Sequence, residues 1–588
     1  MIRIDESAPN PQFVRQGWVD LNGTWRFRYD DEDLGLHSRW WDDNFSQESR
    51  EIVVPFPPES QLSGIGDCSF HPVVWYQRYL SEIPESADER TLLRFGAVDY
   101  QALVWINDVP VGSHTGGSSP FSIDLSTAWL RSLENPRLTV RVFDDPIDQE
   151  QPRGKQAWTE KHADIWYKRT TGIWQPVWLE FTSEIHIEYA RWFFDPETER
   201  LRAAIELNRT PSHEVNIVFE VQTADERSVS ATITAKSRQA SVDIDLSPLG
   251  DTGSLSWSPD SPTLLPTLIT TSTGDSIQGY VGLRSVSLSK SGFAINGQSH
   301  WLRMVLSQGY FPDSHYAAPS AEAIRREVEM TLALGFNGAR THQKAEDPRY
   351  LYWADKLGLL IWGEIGAAYT FSDRAIRALA LEWTELVRRD INHPSIIAWV
   401  PFNESWGVGS VATSSVQQNA VRALFSLTNA LDGTRPVIGN DGWEHVSTDV
   451  FSLHDYSWDG PELRARYSSG KSNEDVANVY SVADKVAVAA IEHPLNDLPL
   501  MITEYGGVSY APSGSESWYG YGKVTNDEEF VEKYRELTRA LHASAEIVGI
   551  CYTQLTDTEQ ETNGLLSENR EPKIDVTVIR AITLGEEF

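Results

Sequence analysis

The chain has 588 residues, a formal net charge of -34 and 40% hydrophobic residues, an ordinary apolar content for a globular protein. That length is too great for one hydrophobic core and implies roughly three or four domains. An acidic surface does not suit a phosphate backbone or anionic lipid, both of which need clustered Lys and Arg, so neither nucleic acid nor membrane is an expected partner.

The two cysteines, Cys68 and Cys551, stand far apart and outside any metal-ligand spacing, so no disulfide framework is expected. The amino terminus has no apolar core of signal length, and no run of about 18 apolar residues occurs, which makes a cytoplasmic location the expectation. With 22 Trp and 21 Tyr the composition tilts toward carbohydrate. An indole matches the apolar face of a sugar ring and keeps a polar handle for hydroxyls.

From residue 13 to about 181, short alternating runs such as Thr24-Trp25-Arg26-Phe27-Arg28-Tyr29 lie between Gly, Pro, Asn and Asp, as in a jelly-roll β-sandwich. A brief helical period is expected at 127–133, and long loops at 112–117 and 146–155. From 183 to about 285, runs such as Val215-Asn216-Ile217-Val218-Phe219-Glu220-Val221 suit an immunoglobulin-like sandwich of seven strands. The expected divisions are therefore 1–182, 183–285 and 286–588. In the last of these, short apolar strands alternate with helices, as in a (β/α)8 TIM barrel. Eight strands are expected at 301–306, 336–341, 359–362, 396–400, 436–439, 450–453, 499–503 and 548–553. Helices are expected at 321–334, 349–356, 374–390, 416–431 and 527–544, with a further helical pattern at 474–491 inside a long sixth connection.

Chemistry in such a barrel sits at the carboxyl ends of the strands. That rule selects Arg340 and His342 after strand two, Glu364 after three and Asn403 with Glu404 after four. It adds Asn440 and Asp441 after five, His454, Asp455 and Tyr456 after six, Glu504 and Tyr505 after seven, and Thr553 and Gln554 after eight. A ring of carboxylates with His, Asn and aromatic residues suits cleavage of a glycosidic bond. Phosphate-loop, dinucleotide-fingerprint and nucleophile-elbow patterns are absent.

Several stretches are specific. They include Phe336-Asn337-Gly338-Ala339-Arg340-Thr341-His342, Asn392-His393-Pro394-Ser395, Asn403-Glu404 and Thr503-Glu504-Tyr505, with Leu21-Asn22-Gly23-Thr24-Trp25 and Gly172-Ile173-Trp174-Gln175 toward the front. On these the chain resembles glycoside hydrolase family 2, the family of β-galactosidases, β-glucuronidases and β-mannosidases, along essentially its whole length. The resemblance implies a retaining mechanism with Glu404 as acid/base and Glu504 as nucleophile. Glu404 is then expected to have a raised pKa, from the neighbouring charge of Glu504 and partial desolvation. It further implies that Asn403 binds the sugar 2-hydroxyl, that Arg340 pairs with the nucleophile and that Tyr505 donates to it. His342, His454, Asp455, Trp406, Trp443, Trp518 and Gln554 are the remaining candidate substrate contacts.

The sequence departs from the family in three places. The metal-dependent β-galactosidases carry a Glu-x-His ligand pair after strand three, whereas here Glu364 is followed by Ile365 and Gly366, so no metal is expected, and no cofactor. The Asn-x-Lys clamp of the β-glucuronidases is absent, which argues against a uronic acid, although an Arg such as Arg570 is an alternative partner. Strand eight ends in Cys551-Tyr552-Thr553-Gln554 without the usual Trp. The expected activity is that of an exo-acting retaining β-glycosidase with a carbohydrate partner, β-galactoside first and β-glucuronide, β-mannoside or arabinoside as alternatives. A non-catalytic carbohydrate-binding relic is the reading from another class. A homo-oligomer is compatible with the sequence.

Overall fold

The structure is a computed structural model and describes residues 2–586, apart from 43, 44, 46–48, 82, 86, 87, 482, 483, 492 and 513–519. At the front, a six-stranded antiparallel sheet (Arg50–Val54, Gly23–Tyr29, Val73–Tyr79, Arg137–Phe143, Gln101–Ile106 and Val109–Thr115, in spatial order) packs on a four-stranded one (Val19–Asp20, Val177–Thr182, Arg90–Phe95 and Phe121–Ser126). In Gly23–Tyr29 the alternation does its expected work, with Trp25 and Phe27 buried while Arg26 and Arg28 point away from the core. The helix expected near 127 is Thr127–Ser132, capped by the Ser126 hydroxyl, which accepts from the Trp129 N–H.

The second unit pairs a three-stranded sheet (Ile187–Asp195, Arg200–Leu207 and Gln239–Asp245) with a four-stranded one (Ser228–Ala235, Val215–Gln222, Leu265–Thr271 and Ser276–Val281). Alternation in Val215–Gln222 turns Val215, Ile217, Phe219 and Val221 inward. Buried Arg15 ties this unit to the front sandwich, donating to Asp275 at 2.8 Å and to Glu180 at 2.7 Å. Because all three side chains are out of water, removing any one would strand a buried charge.

The remainder is a parallel barrel. Seven strands form one sheet in the order Ile396–Val400, Leu360–Glu364, Gly338–Thr341, Leu302–Ser307, Ile547–Thr553, Leu500–Gly506 and Phe451–Asp455. The two end strands of that ladder are the fourth and the sixth. The expected fifth strand at 436–439 is not continuous. It is reduced to parallel bridges Trp399↔Val437 and Asn403↔Asp441 and an antiparallel bridge Ile438↔Thr448. Pro436 has no N–H to give strand four, and the Val437 N–H on the opposite side is taken by the Asp449 side chain at 2.7 Å, which interrupts a ladder toward strand six. Side-chain alternation divides the core in two. Leu360 and Trp362 fill the barrel with Met304 and Met501, while Ile361 faces the surrounding helices.

Those helices are Ala321–Ala333, Pro348–Leu357, Asp373–Asp390, Ser415–Leu431 and Asp527–His542, within two residues of expectation at each end, together with Val576–Leu584. The stripe on Asp373–Asp390 is Ala375, Leu379, Glu382, Trp383, Leu386, Val387 and Asp390, one helical face laid on the barrel. The sixth connection differs from the pattern at 474–491. It contains two short helices, Gly460–Arg466 and Asn473–Val479. The second starts in a Ser472/Asp475 capping box and ends at Tyr480, which turns extended so that its hydroxyl reaches the His454 carbonyl at 2.7 Å. Among the described residues no helix is long and apolar enough to cross a membrane.

Candidate active site

Asn403, Glu404 and Ser405 leave the fourth strand in a sharp turn in which Glu404 and Ser405 both have positive φ, 53° and 58°. Non-glycine residues adopt that conformation only when their surroundings hold it. Here the fifth-strand segment supplies the hold. The Glu404 N–H donates to the Asp441 carbonyl at 2.9 Å, the Ser405 N–H to Asn440 Oδ1 at 3.0 Å and the Ser405 hydroxyl to Glu444 at 2.6 Å.

Arg340 is the hub of the barrel mouth and is wholly buried. Its Nε reaches Glu364 at 2.7 Å, Nη1 reaches Asp441 at 2.8 Å and Glu504 at 3.1 Å, and Nη2 donates to Asn403 Oδ1 at 3.0 Å. Burial works against these charges. The guanidinium nonetheless outweighs it, and the carboxyls of Glu364 and Asp441 stay below the usual carboxylate range. Arg340 thus bridges three barrel strands and the nucleophile candidate. With Oδ1 occupied, the buried Nδ2 of Asn403 has no hydrogen-bond partner among the described residues and is the donor left for a ligand.

Glu504 ends the seventh strand and accepts a hydrogen bond from the Tyr456 hydroxyl. Tyr505 does not fill that role. Its side chain runs outward to the helix Asp527–His542, where the hydroxyl lies 3.0 Å from Thr538. The alternation of a strand explains the swap, because the residue after an inward-facing Glu504 must face the helices. Asp455 is also turned away. It is fully buried, accepts from Tyr467 at 2.8 Å and from Arg466, and so anchors the exit of strand six rather than facing a ligand.

His454 joins the two carboxylates. Its Nδ1 is 2.7 Å from Glu404 Oε1, and its Nε2 is 2.9 Å from Asp441 and 3.4 Å from Glu504. Burial disfavours a charged ring, yet Glu504, Asp441 and Glu404 together raise its pKa to about 10. For Glu404 the outcome reverses the expectation from sequence. Burial pushes its carboxyl up, but the hydrogen bond and charge of His454 more than cancel this and leave it below the usual range. The difference arises because a cation, not only Glu504, stands beside Glu404.

His342 lies with its Nδ1 3.3 Å from Glu364 and 4.0 Å from Glu504. The Trp406 indole donates to Glu404 Oε2 at 3.3 Å, and the Trp443 ring stands edge-on to His454 with centroids 5.4 Å apart. Gln554 is buried and occupied, donating to Asn563 and accepting from Gln308, both at 2.8 Å. Trp518 lies outside the described residues. Arg570 is committed to Glu327 at 3.0 Å, away from the carboxylate pair.

Sequence reasoning named Tyr456 and Asp441 only as strand exits and missed the contribution of the front sandwich. Trp166 packs edge-on against Trp406 at 5.6 Å, beside Trp158 and Tyr369. Lys155, buried at the end of the loop 146–155, is near enough to Glu404 to help lower its pKa. Lys155 also faces Glu561, whose carboxyl burial pushes up to about 7. The only available signal was the length of that loop.

A carboxylate oxygen of Glu404, a ring nitrogen of His454 and a carboxylate oxygen of Glu504 lie within 4.8 Å of one another, the only such trio among the described residues. Both ring nitrogens of His454 are engaged by carboxylates, Nδ1 by Glu404 at 2.7 Å and Nε2 by Asp441 at 2.9 Å.

Two family models match the chain, the sugar binding domain of the glycosyl hydrolases family 2 over residues 19–181 and the TIM barrel domain of the same family over 286–584. A β-glucuronidase of Paenibacillus borealis is 25% identical over 470 residues, covering 71% of this chain and 72% of the relative. A β-galactosidase of Thermoanaerobacterium thermosulfurigenes is 24% identical over 516 residues, covering 84% of this chain and 65% of the relative. Among solved structures, a β-glucuronidase from an uncultured Clostridium sp. superposes with a TM-score of 0.75 at 19% identity, covering 97% of this chain and 98% of that one. A family 2 β-galacturonidase from Eisenbergiella tayi gives 0.72 at 19% identity, covering 100% and 98%. With the barrel model spanning more than half of its length and the sugar-binding model preceding it in order, the chain belongs to glycoside hydrolase family 2.

Proposed function

We propose that this glycosidase is an exo-acting, retaining β-glycosidase in which Glu504 attacks the anomeric carbon and Glu404 serves as acid and then base. The observation that carries the reading is the closeness of the two carboxylates, with oxygens inside 4.8 Å at the exits of strands four and seven. Retaining enzymes hold the pair about 5 to 5.5 Å apart and inverting ones about 6.5 to 9.5 Å, since only the latter need room for a water. Arg340 and Tyr456 hydrogen-bond Glu504 and aim it, and the free Nδ2 of Asn403 is positioned to donate to a sugar hydroxyl.

A β-galactoside is the glycone we put first, because the Asn-x-Lys pattern is missing and Lys155 already faces Glu404 and Glu561. A β-uronide is the second reading. Its support is the names of the relatives, several of which are β-glucuronidases and one a β-galacturonidase. A panel of aryl β-galactoside, β-glucuronide, β-galacturonide, β-mannoside and α-arabinoside substrates separates these. The expected result is turnover of the galactoside with the β-anomer as first product. Glu504→Ala should lower kcat by at least about 10⁴-fold and recover in part with azide. Turnover that survives Glu504→Ala unaided, or an inverted first product, would overturn the mechanism. Sugar binding without any turnover would favour the non-catalytic relic.

A further inference from the structure

The acid/base role requires Glu404 to deliver a proton, while the hydrogen bond and charge of His454 hold its carboxyl below the usual range. The His454 ring is fully buried and contacts both carboxylates, with Nδ1 2.7 Å from Glu404 and Nε2 3.4 Å from Glu504. Four charged groups lie within 3.4 Å of the ring nitrogens. Glu404 faces Nδ1, while Asp441 and Glu504 face Nε2 together with Arg340, whose Nη1 is 3.4 Å away. Trp443 covers the ring edge, and Tyr480 binds the backbone carbonyl below it. Three carboxylates against one guanidinium leave the imidazole in a strongly anionic cage.

We propose that His454 holds the proton that Glu404 delivers to the leaving group, and takes it back in the second half-reaction. The inference rests on the retaining mechanism proposed above. In the first step a Glu504 oxygen forms a bond to the anomeric carbon as the glycosidic C–O bond breaks. The departing oxygen takes a proton from Glu404, which takes one from His454 Nδ1. Glu504 becomes a neutral ester, so one of the three anions that kept the ring charged is gone at the moment the proton must leave it. In the second step water attacks the anomeric carbon and gives its proton to Glu404, which passes it to the neutral His454 as Glu504 departs as a carboxylate. The site ends with the charges it began with, and no further reactant is needed. Glu404 and His454 therefore titrate as one coupled pair, and His454 acts through Glu404 without touching the reacting atoms.

The test compares wild type with His454→Asn on two aryl glycosides of the turned-over sugar, one with a phenol and one with a dinitrophenol leaving group. A dinitrophenolate departs without an acid, so loss of the proton store should spare it. The expected result is a fall of about 10²-fold or more on the phenyl glycoside and only a few-fold on the dinitrophenyl one. The alkaline limb of kcat/KM should also move to lower pH by more than one unit, because Glu404 alone releases its proton sooner than the pair. Equal losses on both substrates, carried in KM, would make His454 a sugar contact and overturn the proposal. If the variant does not fold, a proton inventory on the wild type with the phenyl glycoside decides. A bowed dependence on deuterium fraction, with two protons in flight, is expected, and a linear one would overturn the relay. Turnover of no glycoside by the wild type would be a failure of the proposed function itself, which distinguishes the two.

Discussion

At Glu504 the side chain that carries the hydroxyl decides the chemistry. Tyr456 donates to the carboxylate while Tyr505, next to it in sequence, bonds Thr538 behind the strand. Tyr456→Phe should therefore lower kcat by about 10- to 10²-fold with little change in KM, read from steady-state kinetics. Tyr505→Phe should leave kcat unchanged and cost about 1 kcal/mol in a denaturant titration, the worth of one buried hydrogen bond. The hydrogen bonds of His454 give a further expectation. Both ring nitrogens are taken by carboxylates, so exhaustive treatment with a chelator should leave turnover unaltered, measured before and after dialysis.

Elements rather than single residues hold these side chains in place. The irregular fifth segment forms no ladder toward strand six, yet its Asn440, Asp441 and Glu444 fix the left-handed turn that presents Glu404. The exit of strand six is fixed by buried Asp455, which Arg466 and Tyr467 tie to the helix Gly460–Arg466 and its end. Arg466→Ala would leave that carboxylate without its counter-charge. Removing one partner of a buried pair costs about 3 to 5 kcal/mol, and the partly exposed Arg466 side chain puts the expectation at the lower end, read from the urea midpoint. Strand and helix positions in the barrel were legible because each has its own period and its own caps. The fifth strand was overread because Val-Ile after a proline suits a strand, and only the Asp449 side chain shows why it does not extend. The pattern at 474–491 was overread because helical periodicity cannot reveal that Tyr480 is drawn inward by two carbonyls.

Across the whole molecule, the front sandwich and the barrel share buried polar contacts. Glu382, on the barrel helix Asp373–Asp390, accepts from the Ser118 N–H of a front-domain loop at 2.9 Å, and burial raises its pKa to about 7. A carboxyl whose folded pKa exceeds its unfolded value stabilises the fold fully below about 4.5, and that stability is lost as pH rises toward 7. Glu382→Gln should therefore make Tm less dependent on pH, with the difference between wild type and variant changing across pH 4.5 to 7 and flat above it in calorimetric scans. Trp166 reaches from the same sandwich to Trp406, so Trp166→Ala should raise KM several-fold with a smaller effect on kcat.

The amino-acid sequence by itself determined the order of β and α/β units, seven strands and five helices of the barrel, and the strand-end positions of Glu404 and Glu504, because periodicity and strand-end position are local properties. The tertiary structure alone decided which neighbours face inward. It turned Tyr505 and Asp455 away and brought Tyr456 to the nucleophile. It set His454 between the carboxylates and carried Lys155 and Trp166 in from a domain more than two hundred residues away. The protonation of Glu404 belongs to this second class. A pKa is set by the charges packed around a group, and no sequence spacing reports that a cation would stand where a lone carboxylate pair was expected.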